Sequence, residues 1–231
     1  MDRHEAKYRE MRRLGQLLHI PTIEAFLALE VFDKDGQPIW SHRQRSHSWV
    51  RNAYNSIFTQ LAGKNADDAT FGAGKLSGKN TAGAMVTGEG VLGIAENADG
   101  TAYGYRSSAG DDTFGILVGS GTNAESLEDF ALQTKIANGV GAGQLSYVAS
   151  DNHVITWTEA TKTFKNELVR YFNNNSGGGV GINEVALVMK ARRPVDGALI
   201  MMSRDKLSST LTIPNTGQLK VTYTIQLTYP A

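Results

Sequence analysis

The chain has 231 residues, enough to bury a sizeable core, with 23 lysines and arginines against 23 aspartates and glutamates and no cysteine. That balance gives no bulk reason to expect nucleic acid or an anionic membrane as partner, and the missing thiols exclude disulfides, zinc–thiolate sites and cysteine catalysis. The charged start MDRHEAKYREMRRLGQ lacks the apolar centre of a signal peptide, and no apolar run approaches the roughly 20 residues of a membrane span; cytoplasmic synthesis without a membrane partner is expected.

Residues 4–18 place Tyr8, Met11, Leu14 and Leu18 at helical spacing among charges, which predicts a short amphipathic helix ending before Pro21. Residues 1–22 therefore read as a helical arm, either docked on its own domain or reaching a neighbouring subunit, and 23–231 as a single β-sandwich domain. The period then changes to two: Ile23, Ala25, Leu27, Leu29 and Val31 share one face of a strand. Asp33-Lys34-Asp35-Gly36-Gln37 supplies a hairpin turn, and a strand from Ile39 to about Arg43 returns. Trp49, Val50, Ala53, Tyr54, Ile57, Phe58 and Leu61 predict a second helix over about 48–62, buried along a wide face and capped by Ser46 or Ser48.

Roughly 63–110 is rich in glycine, alanine, asparagine and aspartate, with few large apolar groups to bury. It predicts a long extended excursion ordered by what it packs against. Short β segments follow at Phe114–Gly119, Phe130–Lys135, Leu145–Ala149, His153–Thr158, Lys162–Tyr171, Val180–Met189, Leu199–Ser203 and Leu207–Ile213. In Leu219–Tyr229 apolar and polar residues alternate without a break, the mark of an antiparallel strand with one face buried, and Asn215-Thr216-Gly217-Gln218 supplies the turn before it. The expected fold class is mainly β: an antiparallel β-sandwich with an N-terminal helix, a second short buried helix and a long glycine-rich excursion.

Several stretches imitate catalytic or binding motifs. Gly119-Ser120-Gly121-Thr122-Asn123-Ala124 fits the dinucleotide pattern G-x-G-x-x-G/A, but the acid required about 20 residues on is replaced by Gly139-Val140-Gly141, and no strand–helix alternation follows. Gly119 and Gly121 are better read as turn glycines permitting unusual φ. Asn173 to Gly179 lacks the Lys-[Ser/Thr] of a phosphate loop and reads as a hairpin tip carrying Gly177. Aligned to a calcium loop, Gly36 and Gly100 bring His42 and Arg106 to the position that needs a bidentate glutamate; loose calcium binding at these acidic turns stays open. His42 and His47 have no carboxylate at ligand spacing in the sequence, so no zinc or iron site is expected. No G-x-S-x-G occurs. The adjacent pairs Asp67-Asp68 and Asp111-Asp112 read as solvated loop charge rather than a converging acid–base couple. The expected sites are therefore structural turns at Gly36, Gly119, Gly121, Gly177 and Gly217, with no catalytic residue and no cofactor.

The cluster from His42 to Arg51 surrounds Trp49 with three arginines. In it Trp49 is core with exposed or paired arginines, or the group is a subunit contact; a lone basic cluster in a neutral chain is weak support for nucleic acid. With the N-terminal helix it names Tyr8, Met11, Arg43, Arg45, Trp49 and Arg51 as subunit-interface candidates.

The order of SHSWVRNAYN, ILVGSGTNAESLEDFALQTKI, FKNELVRYFNNNSGGGVGINEVALVMK and MSRDKLSSTLTIPNTGQLKVTYTIQLTY resembles a recurring type of tailed-bacteriophage virion protein. The matching positions are Gly119, Gly121, Asp129, Ala131 and Leu132, then Arg170, Phe172, Asn174, Ser176, Gly177, Glu184 and Leu187, then Arg204, Asp205, Gly217, Gln218, Tyr223 and Ile225. The resemblance covers about 46–61 and 115–229. It implies a non-enzymatic virion component, made in the host cytoplasm, that assembles with itself and with other virion proteins such as the major capsid or tail proteins. A capsid decoration or minor capsid role is preferred, with a neck or tail component as the alternative. A receptor- or glycan-binding module is the third reading and would use Tyr103, Tyr105 and Phe114.

Overall fold

The computed structural model describes residues 5–62, 78–86, 104–191 and 198–230. Most of the expected excursion, with Asp67, Asp68, the Asn97–Gly100 turn and Tyr103, lies outside the described residues. In chain order the elements are α1 (Glu5–Leu17), β1 (Thr22–Phe32), β2 (Pro38–Ser46), α2 (Arg51–Ala62), β3 (Gly78–Lys79), β4 (Met85–Val86), β5 (Gly115–Gly119), β6 (Ser146–Tyr147), β7 (Val154–Thr158), β8 (Thr163–Asn173), β9 (Val180–Lys190), β10 (Leu199–Ile213) and β11 (Gln218–Thr228).

The larger sheet has the order β2-β1-β11-β8-β6, with β7 also paired to β8, and the smaller one the order β10-β9-β5. Every strand pair in both is antiparallel. The alternation that marked β1 and β11 sets the packing: Ala25, Leu27, Leu29 and Val31 join Leu219, Val221 and Tyr223 and, from β8, Leu168 and Phe172 in one core with β5, β9 and β10. The chain is mainly β, and its two sheets pack as a sandwich. In β9 only Gly181, Asn183 and Lys190 escape burial. This central strand is covered on both sides, since α2 and β4 add a second apolar cluster around Ala53, Val86, Met189 and Met202.

Four expectations are corrected. The segments Leu199–Ser203 and Leu207–Ile213 are one strand, β10, whose register against β9 shifts near 202 and again between 206 and 211. The second helix starts at Arg51 rather than 48, and neither Ser46 nor Ser48 caps it; residues 48–50 pair along β10, with the Val50 N–H donating to Met202 O and the Arg204 N–H to Ser48 O. Burial along α2 is narrower than the spacing implies, because Tyr54, Phe58 and Leu61 are exposed. The 174–179 segment is not a hairpin tip, for β8 and β9 belong to different sheets.

That segment and 214–217 are twin arches between the sheets. Buried Asn174 braces them: its amide donates to Gly178 O, Ile213 O and Pro214 O at 2.7–3.0 Å, and its backbone N–H donates to Gly217 O. Gly36 and Gly177 do adopt positive φ, whereas Gly119, Gly121 and Gly217 do not. At Gly217 a Cβ would stand 2.8 Å from Phe32 O, so close approach rather than handedness requires glycine there.

Candidate functional site

Buried charges concentrate where β9 and β10 meet the irregular 120–136 segment. Glu184 and Arg204 are buried and joined by an ion pair of 2.6 Å. The Glu184 carboxylate also accepts the backbone N–H groups of Gly121, Gln133 and Thr134 at 2.9–3.1 Å, so one side chain fastens both ends of the segment. Arg204 takes the middle, donating to Asn123 O, Ala124 O and the Asp129 carboxylate. Burial works to lower the Arg204 pKa, but its bonds to Glu184 and Asp129 outweigh that and hold it above the ordinary guanidinium value. The expected strand at Phe130–Lys135 is absent for the same reason: two of its N–H groups serve a carboxylate instead of a ladder, leaving a single bridge from Lys135 to Gly119. Gly119 and Gly121 are glycine because a Cβ at either would lie 2.5 Å from Glu184 Oε1.

A second buried cation, Arg170 of β8, works through carbonyls. Its guanidinium donates to Val148 O, Phe114 O, Ile116 O, Ser108 O and Asp111 O, and it lies over the rings of Tyr147 and Phe172. Desolvation pushes its pKa down to about 10, so it stays charged at neutral pH. Asp112 pairs with Lys135 and accepts the Asn138 N–H, so the Asp111-Asp112 pair braces this loop rather than remaining solvated loop charge.

A third polar group links β2, β10 and β11. Ser46 Oγ donates to Asp205 at 2.7 Å and accepts from Tyr223 Oη. Ser203 Oγ lies 3.0 Å from Tyr223 Oη, where its hydroxyl can donate, and the His47 N–H donates to Asp205 at 3.2 Å. Burial raises the Asp205 pKa. His47 has carboxylates after all: Asp205 lies 3.9 Å from Nδ1 and Glu125 3.9 Å from Nε2. Sequence spacing missed them because they sit on the 120–136 segment and on β10. Among the described residues, these three are the ones that could hold a metal ion. The two ring nitrogens face different carboxylates, which suits an imidazole bridging two acceptors better than a ligand offering one nitrogen to a metal. The Ser46 hydroxyl donates to Asp205 rather than to the imidazole.

Of the expected interface residues Arg45 is buried, Tyr8, Trp49 and Arg51 are half-buried, and Met11 and Arg43 are exposed. Arg45 is buried, pairs with Glu24 at 2.5 Å and Glu5 at 2.8 Å, and stacks on the rings of Tyr8 and Phe26. Arg43 also lies over Phe26, Arg51 pairs with Glu128, and Trp49 is half-buried against both apolar clusters. Met11 remains exposed.

These contacts show how α1 is seated. Its polar side is docked, through Glu5 to Arg45 and Arg12 to Glu24, while Gln16 donates to Tyr229 O. Apart from Tyr8, which lies under Arg45, its apolar residues face outward instead. Met11, Leu14 and Leu18, with Ile20, Pro21 and Ile23, line an open groove of about 730 Å³. Beside it, the core face of the larger sheet runs on without cover. The register aligns Ile23, Leu227, Phe164 and Trp157 in one row across β1, β11, β8 and β7, and all but Leu227 are exposed. Tyr229 closes the row, its ring 6.3 Å from those of Trp157 and Phe164.

No described helix is long and apolar enough to cross a membrane. Compared with protein-family models, with curated proteins and with solved structures, the chain matches none.

Proposed function

We propose that this chain is a non-enzymatic structural subunit of a tailed-bacteriophage virion, assembling with copies of itself and with other virion proteins. The observation that carries the reading is the use made of the residues behind the resemblance. Gly119, Gly121, Asp129, Arg170, Asn174, Glu184 and Arg204 all fasten loops and arches to the two sheets. They are the fixed points of a scaffold. A decoration or minor capsid role on the capsid exterior is the preferred placement, and a ring in the neck or tail the alternative.

Of the residues named for the receptor- or glycan-binding reading, Phe114 is buried and Tyr105 half-buried, and Tyr103 lies outside the described residues. Mass spectrometry and antibody labelling of particles produced by the virus that encodes the chain test the proposal. Threefold or sixfold clusters on the head support decoration, and a ring about one axis moves the subunit to the neck or tail. Complete absence from purified particles rejects the reading.

A further inference from the structure

We propose that the apolar face running from α2 across α1 to the bare end of the larger sheet is where a second copy of this chain docks; the inference rests on the self-assembling role above. The face holds two complementary shapes. One is the open groove of about 730 Å³ between α1 and residues 20–23. The other is the ridge of α2, where Tyr54 and Phe58 are exposed and Leu61 is 83% exposed. A narrower cleft lined by Tyr8, Met11, Ile23, Tyr54 and Ile57 joins the two, so groove and ridge form one continuous surface.

Area and charge both select a copy of the chain as occupant. The exposed parts of Met11, Leu14, Leu17, Leu18, Ile20, Ile23, Tyr54, Phe58 and Leu61 amount to roughly 1,000 Å² of mostly apolar surface. That exceeds the roughly 300–600 Å² of the largest patch on an ordinary monomer and matches the roughly 800 Å² that each partner buries in a stable interface. The lip of the groove carries Lys7 and Glu10, and Glu10 is held by Arg13 in an ion pair of 2.7 Å. A lip of mixed and internally paired charge offers little to nucleic acid or a strongly charged protein, while the apolar ridge of a second copy matches the apolar groove. The seating of α1 agrees, because ion pairs on its polar side leave its apolar side free. In a two-fold pair the ridge of each copy enters the groove of the other, so both features are buried on both copies.

Light scattering and native mass spectrometry of the full chain over a range of concentrations test this. The wild type is expected to be oligomeric. Leu14→Glu in the groove and Leu61→Glu on the ridge each weaken self-association by ~100-fold or more, as loss of an interface anchor does. Both variants keep the circular dichroism of the wild type and melt as its dissociated subunit does, since neither side chain is buried. Ser209→Glu on β10, also exposed, leaves association unchanged. An oligomer that survives both α1 and α2 substitutions, or that Ser209→Glu dissolves equally, overturns the docking face and leaves the scaffold role standing. A wild type that stays monomeric at every concentration overturns both.

Discussion

The two ends of the larger sheet follow one sequence rule and meet opposite fates. Along β1 the residues Ile23, Ala25, Leu27, Leu29 and Val31 share a face, and along β11 so do Leu219, Val221, Tyr223, Ile225 and Leu227. At the arch end that face is sealed by the smaller sheet, and Leu29, Val31, Leu219 and Val221 are fully shielded. At the α1 end the smaller sheet stops short, and Ile23 is 57% exposed. Alternation tells which face of a strand is apolar; what covers that face is decided by the length of the opposing layer. The covered end also holds Arg170, Glu184 and Arg204, buried charges that bond mainly to backbone groups. At the bare end the charges pair at the outer edge, between α1 and β2, and the apolar groups look outward.

The largest effects are expected at the covered end. Arg170→Ala leaves five carbonyls without their donor and removes a cation packed on two rings. It should lower unfolding stability by about 3–5 kcal/mol in urea titration, and a loss under about 1 kcal/mol would mean that water replaces the guanidinium freely. Glu184→Gln keeps the shape but leaves Arg204 buried beside a neutral amide. A loss of about 3 kcal/mol is expected, together with faster amide exchange at Gly121, Gln133 and Thr134. Uniform exchange across the chain would show that Glu184 does not hold this segment specifically.

A matched pair on one strand sharpens the contrast. Leu29→Ala empties a sealed position and should cost about 2–5 kcal/mol, whereas Ile23→Ala on the same face should cost the isolated subunit no more than about 1 kcal/mol. Equal losses would mean that the Ile23 end is covered in solution by something within the same chain.

Much of this was legible in the sequence. The alternation of β1 and β11 is plain, as are the helical spacing of α1 and the mainly β class. What the sequence could not show was partnership across layers. Residues 173–179 look like a hairpin tip, but whether flanking strands pair with each other or with opposite sheets depends on contacts far along the chain. The apolar alternation of Phe130 to Ile136 is outweighed by one carboxylate, Glu184, which takes the N–H groups a ladder would need. The glycines at 119 and 121 were correctly singled out for the wrong reason: they make room for that carboxylate rather than adopting a left-handed turn. The carboxylates around His47 were invisible because Glu125 and Asp205 lie 78 and 158 residues away by simple subtraction of their numbers. At α1, helical spacing identified the apolar side, and the usual expectation that this side docks was reversed by Arg45, whose burial demanded carboxylates from the polar side.

The smallest effect concerns that docking. The hydrogen bonds from Arg45 lower the Glu5 pKa from 4.5 to about 2, against the opposing influence of desolvation. A carboxyl whose folded pKa is depressed adds stability that is fully present above its unfolded value and lost as pH falls through the folded one. The hold of Glu5 on α1 should therefore be intact at neutral pH, begin to weaken below about 4.5 and be gone below about 2. Because Glu5 is solvent-facing, salt should weaken the contact as well. Hydrogen exchange of α1 measured down a pH series, corrected for intrinsic rates, should show local loosening in that window while β8 and β9 stay protected. Glu5→Gln should abolish the step by loosening α1 already at neutral pH. A Glu5→Gln protein whose α1 is as protected as the wild type at neutral pH would show that Arg12 and Glu24 hold the helix unaided. In that case the polar-side seating of α1 depends on the buried carboxylate alone.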